Sequence, residues 1–245
     1  MFEAVLLSLI AGLATGLGGL IGILIKPGNK TTGAILGFAS GVMITLAFLD
    51  LVMPALATAG YFIVIIGFGL GAFLMFGVDN FIPHMYRHEK EKGMLKSRNL
   101  KTGMLVAIGI AIHNFPEGIA VGAGYAHAPQ FGIIIAIAIA LHNIPEGIVT
   151  VIPLISAGVK KKKALAISLF SGIVEPLGAI IALTFLNNIT GFVPFGLAFA
   201  GGVMAFLTLD ELIPMCKIKS NKNLTSIGII IGCLSVMTLS AIFGI

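Results

Sequence analysis

The chain has 245 residues, 58% of them hydrophobic and only 10% charged, with a mean hydropathy of +1.08. An ordinary soluble domain does not look like this, and the few charges carry most of the information. The net charge of +5 needs no nucleic acid, because its cations sit where topology signals and neighbours of anionic lipid belong.

In chain order, apolar spans run over residues 2–25, 33–55, 61–83, 103–124, 131–155, 164–186, 192–215 and 225–245. Each is close to the ~20 residues that cross a bilayer as a helix. The expected fold is an all-α polytopic membrane protein of eight transmembrane helices, one domain over 1–245. The first span follows Glu3 and no basic stretch, so it reads as a retained helix rather than a signal peptide. Lys26 and Lys30 lie between spans 1 and 2. Arg87, Lys90, Lys92, Lys96, Arg98 and Lys101 lie between spans 3 and 4, in a basic loop expected over 84–101. Lys160, Lys161, Lys162 and Lys163 lie between spans 5 and 6. Lys217, Lys219 and Lys222 lie between spans 7 and 8. The other loops hold no Lys or Arg, so the positive-inside rule puts these four in the cytosol and both termini outside the cell membrane. Cys216 and Cys233 are the only cysteines, both at or within spans, and imply no disulfide framework.

Two internal echoes stand out. His113-Asn114-Phe115-Pro116-Glu117-Gly118 on span 4 returns on span 5 as His142-Asn143-Ile144-Pro145-Glu146-Gly147. Gly41-Val42-Met43, followed by Asp50 and Pro54 on span 2, returns on span 7 as Gly202-Val203-Met204, followed by Glu211 and Pro214. Both pairs of spans run in opposite directions. They suggest a 3+2+3 arrangement, in which three helices and their inverted copy flank a central pair. Inverted repeats with a midplane site at their junction are a transporter signature.

Acids inside hydrocarbon are costly and are kept mainly where they bind or move something. Glu117, Glu146 and Glu175 fall near the centres of spans 4, 5 and 6, at one depth. On each central helix His and Glu are one turn apart on the same face, with Asn on the shoulder. Pro116 cannot bond the carbonyl of Ile112, Pro145 cannot bond that of Leu141, and Pro176 cannot bond that of Gly172. Freed carbonyls in a membrane need partners, and a cation or water supplies them. His113, Asn114, Glu117, His142, Asn143, Glu146 and Glu175 together offer N and O donors suited to a divalent transition metal such as Zn, Fe, Mn or Co. Three carboxylates are better balanced by two metals, or by one metal plus protons, than by one dication. The bland reading is a packing network of protonated glutamates, which would not require three acids.

Asp50 lies about 9 Å outward of that depth by helical rise. Asp79, Asp210 and Glu211 lie a similar distance inward, followed by His84 and His88. These residues, with Met53, make a possible cation path. The bland reading has Asp79 and Asp210 paired with nearby Lys or Arg, His84 and His88 as interfacial residues, and Met53 as packing. Glycine is abundant, with 32 residues. In lipid it allows close helix approach, either as ordinary tight packing or as a sliding surface.

At these residues the sequence resembles the ZIP (Zrt/Irt-like) family of divalent metal transporters, in its bacterial and archaeal branch. The resemblance covers the whole chain and is carried most specifically by the twin HNxPEG motifs and by Glu175-Pro176. It implies uptake of Zn and related dications, with Fe, Mn, Co and Cd as further cargo, into the cytosol. It also implies a two-metal site bridging spans 4, 5 and 6, held by the seven residues above. A moving group of spans 1, 4, 5 and 6 would slide against spans 2, 3, 7 and 8, with glycines of spans 1, 2 and 3 forming the smooth contact. The chain departs from many members in lacking a long His-rich loop after span 3, and in carrying Ala55 after the span 2 proline. The metal is cargo, and no catalytic cofactor is implied. A homodimer is a possible assembly. The competing readings are a passive cation channel and, more distantly, an intramembrane metalloenzyme. The latter would want His-Glu-x-x-His, which the chain lacks.

Overall fold

A computed structural model describes residues 1–25, 29–86, 94–127, 129–185, 192–214, 216 and 222–243. Over these residues the chain is helical. The helices are α1 (Phe2–Ile25), α2 (Asn29–Leu46), α3 (Met53–Tyr86), α4 (Met94–His127), α5 (Pro129–Ser156), α6 (Lys161–Gly172), α7 (Val174–Phe185), α8 (Phe192–Leu207) and α9 (Lys222–Phe243). Two π-helical stretches, π1 (Ala47–Val52) and π2 (Thr208–Leu212), link α2 to α3 and extend α8.

Among the described residues, seven helical runs are long and apolar enough to cross a membrane. One of them, Gly33–Asn80, has 48 residues and takes in both expected spans 2 and 3. Its one break in helical backbone is Gly60, at φ 73° and ψ 174°, a conformation open to glycine but not to residues with a Cβ. The expected span 6 lies within one membrane-crossing run, Lys161–Thr184, with a single residue, Ile173, between the end of α6 at Gly172 and the start of α7 at Val174. The break falls where Pro176 removes the bond to the Gly172 carbonyl, and it brings Glu175 into the first turn of α7. By contrast Pro116 and Pro145 lie inside unbroken α4 and α5. Helices also enter the stretch expected as a loop over 84–101 from both sides, to Tyr86 and from Met94.

The helices sort into two bundles. One holds α1, α4, α5, α6 and α7; its most extensive contacts are α1 with α5, α4 with α5 and α4 with α7. The other holds α2, α3, α8 and α9, built on α3 with α8 and α2 with α9. Between the bundles the main contact is α4 with α8, and α2 with α5 is smaller. Two apolar cavities lie along this boundary, one of about 350 Å³ lined by Phe115, Pro116, Phe195 and Phe199, and one of about 150 Å³ lined by Phe38, Asp50, Leu141 and Pro145.

Glycines bring helices together within the bundles. Gly12 of α1 and Gly172 of α6 each face the other's carbonyl, and Gly18 faces that of Ile144. In the second bundle Gly41 faces Ile229 and Gly71 faces Phe199. The expected sliding surface made by glycines of spans 1, 2 and 3 is therefore corrected: those helices use them as close internal joints. At the boundary the glycines come from other spans, with Gly109 against Leu207 and Gly196 against Pro116.

Candidate metal centre

The first bundle assembles the HNxPEG helices around α1 and the α6–α7 break. Gly118 lies against the carbonyl of Glu175, and Gly147 against that of Thr15, with no room for a Cβ at either. The motif glycines thus set α7 on α4 and α1 on α5. That closeness carries the neighbouring polar side chains into one buried layer. His113, Asn114, Asn143, Glu146 and Glu175 are fully buried, and Glu117 is 2% exposed.

Within that layer the described side chains are joined across helices. Nε2 of His113 on α4 lies 2.9 Å from Oε1 of Glu146 on α5. Asn143 on α5 donates through Nδ2 to Oε1 of Glu175 on α7, at 2.5 Å, and to the carbonyl of Ala11 on α1, at 2.9 Å. Asn114 donates to the carbonyl of Ser171 at 3.1 Å. Several buried oxygens find no hydrogen-bond partner among the described residues: Oδ1 of Asn114 and of Asn143, Oε2 of Glu146 and Glu175, and Oγ1 of Thr15. Buried polar atoms are nearly always satisfied, so a cluster of unsatisfied acceptors is a functional signal. Two unit charges 4 Å apart at an effective dielectric of about 20 interact by about 4 kcal/mol. Three carboxylates gathered here therefore require positive charge, as protons or as a cation. α5 carries His142, whose side chain lies outside the described residues.

The expected path residues fall in separate groups. Asp50 lies in π1 and accepts from Oγ of Ser240 on α9, at 3.1 Å. Met53 begins α3 and is 57% exposed. Asp79, Asp210 and Glu211 converge, with one oxygen of each within 4.8 Å of the others. Lys101 pairs with Asp79 at 2.7 Å and approaches Glu211 at 3.9 Å, and Thr102 donates to Glu211 at 2.6 Å. Asp79 thus has the lysine partner that the bland reading expects, and Lys101 belongs to α4 rather than to a loop. His84 lies on α3 with its side chain outside the described residues, and His88 lies outside them entirely. In the central layer no three His or acid ligand atoms of the described residues come together within 4.8 Å; the groups are joined in pairs.

Sequence reading missed Thr102, Ser240, Thr15 and the α1 carbonyls. Single hydroxyls and backbone atoms leave no motif. The approach of α1 could have been suspected from its dense glycines, Gly12, Gly16, Gly18, Gly19 and Gly22.

Comparison with known proteins decides the family. The profile of the ZIP Zinc transporter family matches residues 82–240. The chain belongs to the ZIP zinc transporter family. The likeness extends over nearly the whole length: it is 41% identical over 253 residues to "Zinc transporter ZupT" of Oceanobacillus iheyensis, covering 95% of this chain and 94% of the relative. It is 38% identical to "Zinc transporter ZupT" of Chlorobaculum parvum over 254 residues, with 96% and 94% covered. A plant member, "Zinc transporter ZTP29" of Arabidopsis thaliana, is 39% identical over 234 residues, with 88% and 85% covered. As a ZIP member with several membrane-crossing helices, the chain is a multi-pass membrane protein. Its relatives are named as transporters, not enzymes.

Proposed function

We propose that the chain takes divalent transition-metal cations into the cytosol, zinc foremost, with Fe, Mn, Co and Cd as further cargo. The observation that carries this reading is the buried layer in which His113 meets Glu146 and Asn143 meets Glu175. His113, Asn114, Glu117, His142, Asn143, Glu146 and Glu175 are its proposed ligands. Imidazole and carboxylate supply borderline N and hard O donors, the mixture that suits zinc-like dications. Two separate pairs, rather than one tight triad, favour two cations over one. Asp50 at one end and Asp79, Asp210 and Glu211 at the other are the proposed outer and inner stations. Both acid groups involve π-helical stretches, a feature frequent at functional sites.

The reading needs eight passes. The 48-residue run Gly33–Asn80 would be ~72 Å long if straight, more than twice a ~30 Å hydrocarbon core. A turn at Gly60 gives two passes, with both termini outside and the basic segments, including 84–101, in the cytosol. An inverted repeat is supported by matching contacts. Gly41 faces Ile229 and Gly202 faces Phe68; Gly71 faces Phe199 and Gly232 faces Phe38. In each pair of contacts both partners shift by the same number of positions along the chain. Motion of the α1, α4, α5, α6 and α7 bundle against the other, across the cavity-lined boundary, would carry the cations from one side to the other.

A passive channel through the same residues is the alternative. Purified protein in liposomes should take up zinc down its gradient, and a carrier should show uptake stimulated by metal on the far side. Uptake that ignores far-side metal favours the channel, and no uptake of Zn, Fe, Mn, Co or Cd sinks the transport reading.

A further inference from the structure

Thr15 on α1 is fully buried, and its hydroxyl has no hydrogen-bond partner among the described residues. Among the described helical threonines it shares this only with Thr225 on α9. Thr58, Thr150, Thr184, Thr208 and Thr238 each donate to the carbonyl four residues back. For Thr15 that carbonyl belongs to Ala11, and it already accepts Asn143 of the HNxPEG motif. The site's own asparagine therefore stands where the hydroxyl would ordinarily bond.

The contacts around Thr15 repeat those around Glu175. Gly12 and Gly172 face each other, and each is followed three residues later by Thr15 and Glu175 respectively. A Cβ on Gly12 would lie 3.5 Å from the Glu175 carboxyl carbon, and one on Gly172 would lie 3.1 Å from Thr15 Oγ1. Gly118 of the first HNxPEG faces the Glu175 carbonyl, and Gly147 of the second faces that of Thr15. Asn114 donates to the carbonyl of Ser171, four residues before Glu175; Asn143 donates to that of Ala11, four residues before Thr15. Gly178 and Gly18, three residues beyond each, face the carbonyls of Phe115 and Ile144, the same position of the two motifs. Four sets of matching contacts thus superpose one half of the bundle on the other, and they place Thr15 where the other half carries Glu175.

We propose that Thr15 is a further binding residue of the cation site, its hydroxyl and the amide oxygen of Asn114 forming a neutral oxygen half-site opposite the anionic Glu175–Asn143 half. Both oxygens are buried acceptors with no partner among the described residues. Neutral oxygens hold a hydrated dication more weakly than a carboxylate does. The two halves therefore bind their cations unequally: the Glu175 half grips, and the Thr15 half holds through water and lets go. A second carboxylate here would make both halves grip.

The inference rests on the proposed central site, so Glu175→Gln is the control for that site. Zinc stoichiometry and affinity are measured on purified protein by equilibrium dialysis, and KM and Vmax of zinc uptake in liposomes. Thr15→Val keeps the shape and removes the hydroxyl; KM should rise about fivefold, the size of one lost polar contact. Thr15→Ser should restore wild-type values. Thr15→Asp should bind zinc more tightly and turn over more slowly. If Glu175→Gln lowers binding while Thr15→Val and Thr15→Asp leave zinc affinity and KM at wild-type values, the Thr15 proposal is wrong. If Glu175→Gln also changes nothing, the central site itself is wrong. Should Thr15→Val fail to fold, Thr15→Asp against Thr15→Ser decides: equal zinc affinity in the two overturns the proposal.

Discussion

Nε2 of His113 and Oε1 of Glu146 lie 2.9 Å apart, joining the first residue of one HNxPEG motif to the acid of the other. One turn of helix separates His and Glu within a motif, yet the contact formed is between motifs. The two copies therefore act as one layer across α4 and α5. Glu146→Ala should remove an anionic ligand and leave His113 without its partner, lowering zinc affinity by at least ~10-fold. Glu117→Ala should likewise remove an anionic ligand and lower zinc affinity. Metal content of the purified variants, measured by mass spectrometry, checks this; wild-type content in both would return the layer to a packing network of protonated acids.

His142 is the position where donor chemistry can be exchanged most directly. His142→Glu replaces a borderline nitrogen by a hard oxygen, so uptake should move from zinc toward manganese. Competition between the two metals in liposomes gives the ratio. An unchanged ratio puts selectivity elsewhere, with Asp50 the next position to vary.

Gly118 and Gly69 separate packing from flexibility. A Cβ at 118 has no room beside the Glu175 carbonyl, whereas one at 69 meets nothing within 4 Å. Gly118→Ala should cost about 1–3 kcal/mol of stability through overpacking. Gly69→Ala should be neutral or slightly stabilising, since alanine favours helix. Thermal unfolding in detergent compares them; equal melting temperatures would mean that α4 and α7 do not meet this closely.

Gly109 of α4 and Leu207 of α8 meet across the boundary between bundles, with Leu207 Cγ 2.9 Å from where a Cβ on Gly109 would sit. A disulfide between cysteines at these positions, in a background lacking Cys216 and Cys233, should stop zinc uptake while metal binding persists. A disulfide between cysteines at Gly122 and Ala182, both in the first bundle, should leave uptake within about twofold. Full uptake with the first pair locked would exclude rigid motion of one bundle against the other.

Much of this was legible in the sequence because a membrane is a strict solvent. Hydrocarbon forces helices of about one length and permits acids only for a purpose, so composition, basic loops and twin motifs indicate the class and single out candidate central residues. The Gly172 carbonyl that Pro176 leaves unbonded marks the boundary between α6 and α7. Helices reach into the basic segment 84–101 from both sides, to Tyr86 and from Met94, because lysines and arginines are good helix formers where the apolar pattern ends.

What the one-dimensional chain could not contain is which helix lies against which. Periodicity shows that His113 and Glu117 share a face, but not that His113 meets Glu146. The glycines of spans 1, 2 and 3 looked the same for a sliding surface as for a fixed joint, since each requires only a missing Cβ. Tertiary contacts assigned them to joints inside each bundle and left the boundary to α4 and α8. Lys101 and Thr102 on Asp79 and Glu211, and Thr15 opposite Glu175, are likewise products of folding. Sequence determined which polar groups are placed inside the apolar spans; packing alone decided their partners, because a partner is a distance between helices and not a spacing along one.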